Sequence, residues 1–191
     1  MLNNIQLSPH FSLLELTESA TARQRDIANI PPPEAVENLK RLCKGTLEPL
    51  RKALGLPVII TSGYRCKELN NIVNRSSKTS QHMLGQAADF YISDDGAMRQ
   101  SRGSKFNGLW PVQRGSATVQ DSKVLGRREL LIMGFRLIIL NEDIDYDQLI
   151  LYPTFIHVSY VSRSKNRRKI IKANGHGSYC TVTREAALCL S

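Results

Sequence analysis

Residues 79–92 read TSQHMLGQAADFYI. The last six of them, AADFYI, are typical of a buried β-strand, and Gly85 marks a turn before it. His82 and Asp89 lie seven positions apart on either side of that turn. A turn followed by a strand can bring both side chains to one metal ion, and the small residues between them allow a close approach of the backbone. This stretch therefore predicts two ligands of a metal site.

A third candidate ligand lies in FIHVSY, residues 155–160, where His157 has apolar neighbours on both sides. A polar ring in such a run needs a partner. A metal ion is one such partner, and a hydrogen bond to the backbone is the other. Catalytic zinc typically takes three protein ligands, and histidine nitrogen and carboxylate oxygen both serve. His82, Asp89 and His157 would make such a set.

The rest of the chain predicts a mixture of helices and strands. Apolar spacing indicates an amphipathic helix over residues 34–54, which Pro49 would kink or divide. Residues 58–61 read as a short buried strand, and residues 126–140 as a helix that is apolar on nearly all sides. Residues 146–160 carry two β-rich runs around a Tyr-Pro-Thr turn, which predicts a hairpin.

The 191 residues suit one compact domain. We expect this domain to span residues 1–172. An irregular insertion is predicted at about 93–125, where Ser, Gly, Asp, Arg and Gln dominate and no period is visible. The weakly patterned segment 173–191 is expected to be a loosely ordered tail.

Composition favours a soluble globular protein, with 41% hydrophobic and 23% charged residues. No apolar run approaches the ~20 residues of a membrane helix, so no membrane span is expected. The N-terminus lacks the pattern of a signal peptide, which predicts synthesis in the cytoplasm. The four cysteines form no metal-binding pair and are expected to be reduced thiols.

The formal net charge is +9, and much of the excess lies within residues 163–172. Such a cluster either forms a solvated surface or attracts a polyanion such as nucleic acid or an anionic cell wall. No aromatic residues are interleaved with these basic residues. A stacking platform for single-stranded nucleic acid is therefore not supported.

Four stretches together resemble a known family. They are SGYRCKELN (62–70), SQHMLGQAADF (80–90), DQLI (147–150) and HVSY (157–160). They are similar to the zinc D-alanyl-D-alanine carboxypeptidases, a family that includes phage cell-wall endopeptidases, and most similar to its small single-domain branch. The pattern SxHxxGxAxD is the specific part. The resemblance covers roughly residues 8–92 and 126–170.

The resemblance implies an α+β fold with a small antiparallel sheet flanked by helices, of the hedgehog/DD-peptidase type. It implies that His82, Asp89 and His157 are the zinc ligands. It implies that Arg65 binds substrate, since its planar fork suits a carboxylate, although a salt bridge that organises the loop is the alternative. Ser80 would hydrogen-bond the substrate or cap the turn.

One feature departs from the family pattern. Relatives carry an acid shortly before the last histidine that acts as general base, and residues 151–156 here contain none. Asp147 is the nearest upstream carboxylate and is our candidate for the base, with a turn or capping contact as its alternative role. Strand alternation would turn it away from His157. Tyr152 would share the face of His157 and could polarise a carbonyl instead.

The expected function is zinc-dependent hydrolysis of peptide bonds in peptidoglycan or muropeptides, as a carboxypeptidase or an endolysin-type endopeptidase, by a monomer. If the protein acts on a cell wall, something else must carry it out of the cytoplasm, and a phage or prophage setting would fit. One alternative is a catalytically impaired zinc-containing module that binds cell wall. A basic nucleic-acid-binding protein, favoured only by charge, is the second alternative.

Overall fold

The computed structural model describes residues 5–73, 76–93, 126–173 and 178–190. All of the predicted insertion except Ser93 lies outside the described residues. The helices of the described ranges are α1 (Leu13–Thr17), α2 (Ala20–Gln24), α3 (Pro33–Leu42), α4 (Glu48–Leu54), α5 (Lys67–Ile72), α6 (Arg127–Leu140) and α7 (Arg184–Leu188).

The predicted helix 34–54 is divided, as Pro49 suggested. A π-helical segment, Cys43–Leu47, lies between α3 and α4. Pro49 lies in the first turn of α4, where its missing N–H costs nothing. The wider turn before it lets the chain continue without the hydrogen bond that a proline cannot donate. Gly55 ends α4 in the left-handed conformation, with φ of 62°.

In the described ranges, eight strands form two sheets. Strands β1 (Gln6–Ser8) and β2 (Phe11–Ser12) make a small antiparallel pair near the N-terminus. The remaining six make the central sheet in the order β3-β4-β6-β5-β7-β8. They are β3 (Val58–Ser62), β4 (Ala87–Ile92), β5 (Gln148–Leu151), β6 (Ile156–Ser159), β7 (Lys169–Ala173) and β8 (Tyr179–Thr181).

The α+β class is as expected, but the central sheet is mixed rather than purely antiparallel. The predicted hairpin is present as β5 and β6. After β6 the chain crosses back and begins β7 beside the start of β5, where the Lys169 N–H donates to the Asp147 carbonyl oxygen. Strands β5 and β7 therefore run parallel. This pairing joins segments that are not adjacent in sequence, so periodicity alone does not reveal it.

The two faces of the central sheet have different roles. One face packs against helices α3, α4 and α6 in the main core, and α6 approaches β4 so closely that a Cβ on Gly134 would lie 2.2 Å from Ile92 Cδ1. Core residues on this face alternate along the strands. They are Ala88, Phe90, Ile92, Leu149, Leu151, Ile156, Val158 and Ile170. The opposite face, which we call the site face, carries Asp89 and His157.

The segment expected to be a loose tail contains defined structure. Strand β8 pairs with β7, and helix α7 packs on α6 with Ala187 fully buried. Arg136 also donates to the carbonyl oxygen of Leu190. The core thus includes residues beyond 172. None of the helices in the described ranges has the length and apolar character needed to cross a membrane.

Candidate active site

The structure brings His82, Asp89 and His157 together on the site face. His157 Nδ1 lies 2.7 Å from Asp89 Oδ1 and 3.2 Å from His82 Nε2. His82 Nε2 lies 3.3 Å from Asp89 Oδ1. Within the described part of the chain, these three residues form the group whose ligand atoms lie close enough together to hold a metal ion, all within 4.8 Å of one another.

Strand pairing places two of these side chains. Asp89 on β4 and His157 on β6 are directly opposite each other in the antiparallel register. Directly paired residues project from the same face of a sheet, with Cβ atoms about 5 Å apart. The two side chains are therefore aligned by the backbone alone, although they are 68 positions apart in sequence.

A short turn places the third. His82 lies in a 3₁₀ segment, Gln81–Leu84, whose N-terminus is capped by the Ser80 side chain. Gly85 closes the turn with φ of 68°, and a Cβ there would lie 2.3 Å from the Ala35 carbonyl oxygen. Glycine is thus required by both conformation and space.

The orientation of the His82 ring is fixed by the backbone. Its Nδ1 lies 2.6 Å from the carbonyl oxygen of Gly63. A carbonyl oxygen can only accept, so Nδ1 carries the proton and Nε2 keeps its lone pair toward Asp89 and His157. Metal-binding histidines are commonly oriented by such a second contact.

The charges of the site suit a cation. Burial lowers the pKa of His82, which is 2% exposed, and so favours the neutral ring. Burial opposes the charge of Asp89, but its contacts with the two histidines outweigh that effect and hold its pKa below the usual range. A buried lone pair on His82 therefore faces a partly buried carboxylate oxygen of Asp89. A cation between them satisfies both, so these residues fit the donor set that zinc takes.

A cleft of about 870 Å³ opens over these three residues. All the sequence-predicted site residues line it: Arg65, Ser80, His82, Asp89, Asp147 and His157. Residues that the sequence did not single out also line it, including Gln81, Phe155, Arg167 and Tyr179. The cleft is large enough for a peptide-sized ligand.

Arg65 has donor capacity to spare. Its two terminal nitrogens each reach a serine hydroxyl, Ser62 and Ser80, at a long 3.4 Å. Its buried Nε has no hydrogen-bond partner. Burial also lowers the pKa of the guanidinium, which nevertheless stays charged. A half-buried cation with unused donors is suited to an anionic ligand.

Ser80 has a local role. Its hydroxyl accepts from the backbone N–H of His82 and from Arg65, each at 3.4 Å. The capping contact considered from the sequence is therefore present. Ser80 links the turn that carries His82 to the Arg65 side chain, and so helps to position both.

Asp147 lies in the same cleft, and its carboxylate is already engaged. Arg167 donates to it from the backbone N–H and Nε, each at 2.9 Å from Oδ1, and from a terminal nitrogen at 2.5 Å from Oδ2. Gln81 Nε2 donates to Oδ2 at 3.0 Å. Burial works against the charge, but these hydrogen bonds outweigh it and hold the pKa of Asp147 low. A low pKa weakens a general base.

Tyr152 takes the position at the tip of the β5–β6 hairpin, beside His157 in the cleft. Burial raises its pKa, and its hydroxyl lies 3.3 Å from that of Tyr179. The phenol therefore stays protonated and can donate a hydrogen bond but cannot act as a base. Among the described residues that line the cleft, Asp89 and Asp147 are the only carboxylates.

The basic cluster at 163–172 is partly neutralised within the fold. Arg167 pairs with Asp147, and Arg168 pairs with Asp145 at 3.2 Å. These partners could not be predicted from sequence, since each pair joins a loop before β7 to the segment before β5. Part of the apparent charge excess is thus used to hold two strands side by side.

The comparison with known families agrees with the geometry. The family profile described as Peptidase M15 matches residues 9–116, which include Arg65, His82 and Asp89. His157 lies beyond the matched stretch, and the sheet register brings it to the other two. No curated protein and no solved structure gives a significant match.

Proposed function

Since this chain belongs to the peptidase M15 family, a family of metallopeptidases, we propose that it binds one zinc ion and hydrolyses a peptide bond of peptidoglycan. The observation that carries the proposal is the convergence of His82, Asp89 and His157 on the floor of a peptide-sized cleft. The proposal covers both the carboxypeptidase and the endopeptidase form of the reaction. We also propose the hedgehog/DD-peptidase-like fold, with residues 93–125 as an insertion in a single zinc peptidase domain.

The three ligands would leave one coordination position for the reaction. Zinc, when bound, lowers the pKa of water to roughly 7 and polarises a carbonyl. The chain's own residues position the three ligands. Gly63 and Ser80 hold the turn that carries His82, and the β4–β6 register holds Asp89 beside His157.

Arg65 is proposed to bind a carboxylate of the substrate. Arg65 lines the cleft, its terminal nitrogens make only long contacts with two serines, and a planar guanidinium can hold a carboxylate through two parallel hydrogen bonds. The substrate peptide would thereby be anchored on the β3 side of the metal centre. Peptidoglycan stem peptides carry free carboxylates, which is consistent with this assignment.

We expect Arg65→Lys to lower kcat/KM by roughly 10–100-fold on a carboxylate-bearing muropeptide. Lysine keeps the charge but loses the fork, and a hydrogen bond to a charged group contributes about 1.5–3 kcal/mol. Zinc content should stay at the wild-type value. Arg163→Lys, an exposed arginine outside the cleft, is the matched control. An unchanged kcat/KM in the Arg65 variant would favour a purely structural role.

Asp147 is our proposed general base, because it is the carboxylate of the cleft that is not a proposed ligand. A base of this kind contributes typically ~10²–10⁴-fold. Its pairing with Arg167 makes it a weak proton acceptor, and the turnover of the protein should be correspondingly slow. The same pairing favours a second candidate function, a zinc-containing module that binds cell wall with little or no turnover.

For Asp147→Asn we expect a loss of turnover of about 10²-fold or more with zinc retained. Arg167→Leu tests the same role through pH. The pKa of Asp147 is held low by Arg167, so the acid limb of the kcat/KM profile should lie below the ordinary range of aspartate. Without Arg167 that pKa rises, and the limb should move to higher pH. An unmoved limb, or an Asn variant that loses only thermal stability, would make Asp147 a structural anchor.

One experiment separates the two candidate functions. Purified protein is analysed for metal and incubated with purified peptidoglycan, and the released fragments are identified by mass. About one zinc per chain with peptide-bond cleavage supports the peptidase. One zinc per chain with binding to the wall and no fragments supports the binding module. A protein without zinc that neither binds nor cleaves would overturn both.

A further inference from the structure

One row of side chains crosses the whole central sheet on its site face. Each member is the direct register partner of the next, from β3 to β8. The row consists of Ser62, Asp89, His157, Ile150, Ile171 and Thr181. Neighbouring strands lie about 4.8 Å apart, so the row continues about 10 Å past His157 before it reaches Ile171. Its polar end holds the proposed ligands, and its next two members are apolar.

Aromatic side chains stand over this apolar part of the row. Tyr152 stacks on Phe155, with ring centroids 4.2 Å apart and an interplanar angle of 15°. Tyr179 meets Tyr152 edge to face at 6.2 Å. All three rings line the cleft together with Ile150 and Ile171. We call these five residues the apolar arm of the cleft.

The outer end of the apolar arm and Arg65 lie toward opposite edges of the sheet, although Tyr152 at the inner end is close enough to Arg65 to interact with its charge. Arg65 follows β3 at one edge of the sheet, whereas Tyr179 lies on β8 at the other edge. A substrate that spans the cleft must therefore present an anionic group at one end and an apolar surface at the other. The arm is not wholly apolar, because the hydroxyls of Tyr152 and Tyr179 lie 3.3 Å apart at its surface.

We propose that the apolar arm is a subsite for a sugar ring of the substrate. This subsite rests on the proposed function, and it identifies the sugar as the part of peptidoglycan that the β8 side of the cleft recognises. A pyranose ring has an apolar face of C–H groups, which packs against aromatic rings, and hydroxyl groups around its edge. The three rings, with Tyr152 packed against the buried Ile150 and Ile171, offer the apolar surface, and the tyrosine hydroxyls can exchange hydrogen bonds with alcohols.

A peptide side chain alone would fit this arm less well. An alkyl chain would cover the apolar surface but would offer no hydrogen bond to the two tyrosine hydroxyls, which could then bond only each other or water. Tyr179 is also 52% exposed, so the arm is open at its outer edge and can accept a group that continues into a polymer. A glycan strand has that property.

The test compares two probes by calorimetry on the purified full chain, with zinc and after its removal by chelation. One probe is a disaccharide tetrapeptide released from peptidoglycan, and the other is the same tetrapeptide without sugar. We expect the sugar-bearing probe to bind about tenfold more tightly, the size of one favourable aromatic contact. Tyr179→Ala should bring this ratio close to one. Thr181→Ala, on the same strand but outside the cleft, should keep the wild-type ratio.

Three results would overturn the proposal. Equal binding of the two probes to the wild type removes the sugar subsite and leaves the peptidase proposal standing. A Tyr179→Ala variant that weakens both probes equally assigns the arm to the peptide instead. If neither probe binds the wild type, the subsite and the proposed function fall together.

Discussion

His157→Ala is expected to remove the metal from the protein, with zinc affinity reduced by more than about a hundredfold. The loss of a partner that merely orients a ligand typically costs ~10–100-fold, and a direct ligand contributes more. His157 is a suitable position because its side chain lines the cleft and is not part of the main hydrophobic core, so its removal leaves that core unchanged. Zinc is measured by mass spectrometry of the metal content after dialysis.

The thermal stability of the protein is a second readout, because zinc binding is coupled to folding. A ligand that binds only the folded state stabilises it, by about 4 kcal/mol at a thousand times its dissociation constant. Added zinc should therefore raise the Tm of the wild type and leave that of His157→Ala unchanged. His10→Ala is the matched control, since His10 pairs with Glu48 at 2.9 Å outside the cleft. Full zinc retention by His157→Ala would remove this residue from the metal site.

Tyr152→Glu is expected to raise turnover by about 10²-fold or more over the wild type. Tyr152 lies at the hairpin tip with its side chain in the cleft beside His157, and it occupies the stretch where relatives carry an acid. A glutamate there would lack the direct hydrogen bonds that Asp147 receives from Arg167, although the charge of Arg65 reaches this position. General bases contribute typically ~10²–10⁴-fold, so the effect should be large.

Tyr152→Gln is the control for this gain. It has nearly the shape of glutamate and also loses the stacking on Phe155, but it cannot accept a proton. The comparison of the two variants therefore isolates basicity from the loss of the aromatic ring. Fragment release from peptidoglycan is followed over time at equal zinc content. Equal rates for the Glu and Gln variants would show that a base at position 152 is not what limits the reaction.

The local part of the site could be predicted from sequence. His82 and Asp89 are close in the chain, and a glycine turn before a strand is enough to suggest that they meet. His157 required the resemblance to a family, because its position opposite Asp89 depends on pairing between distant strands. The α+β class and the β5–β6 hairpin followed from periodicity and turn residues.

The surroundings of Asp147 could not be predicted in the same way. Strand alternation turned its side chain away from His157, but Asp147 lies at a bend just before β5, where alternation does not hold. Its partner Arg167 is 20 positions away, in a basic run that looks like solvated surface. Strands β7 and β8 were missed because their pairing is non-local and their own pattern is weak.

The cross-strand pairing of Asp89 and His157 has a consequence for the order of folding. Closing a loop between residues 68 positions apart costs chain entropy before any contact is gained, and such long-range strand pairing is a slow step. His82 and Asp89 alone are neighbours in the unfolded chain and offer an ion two donors at most. Tight zinc capture must therefore wait until β6 has docked on β4, so the rate of metal uptake during refolding reports the completion of the sheet rather than its beginning.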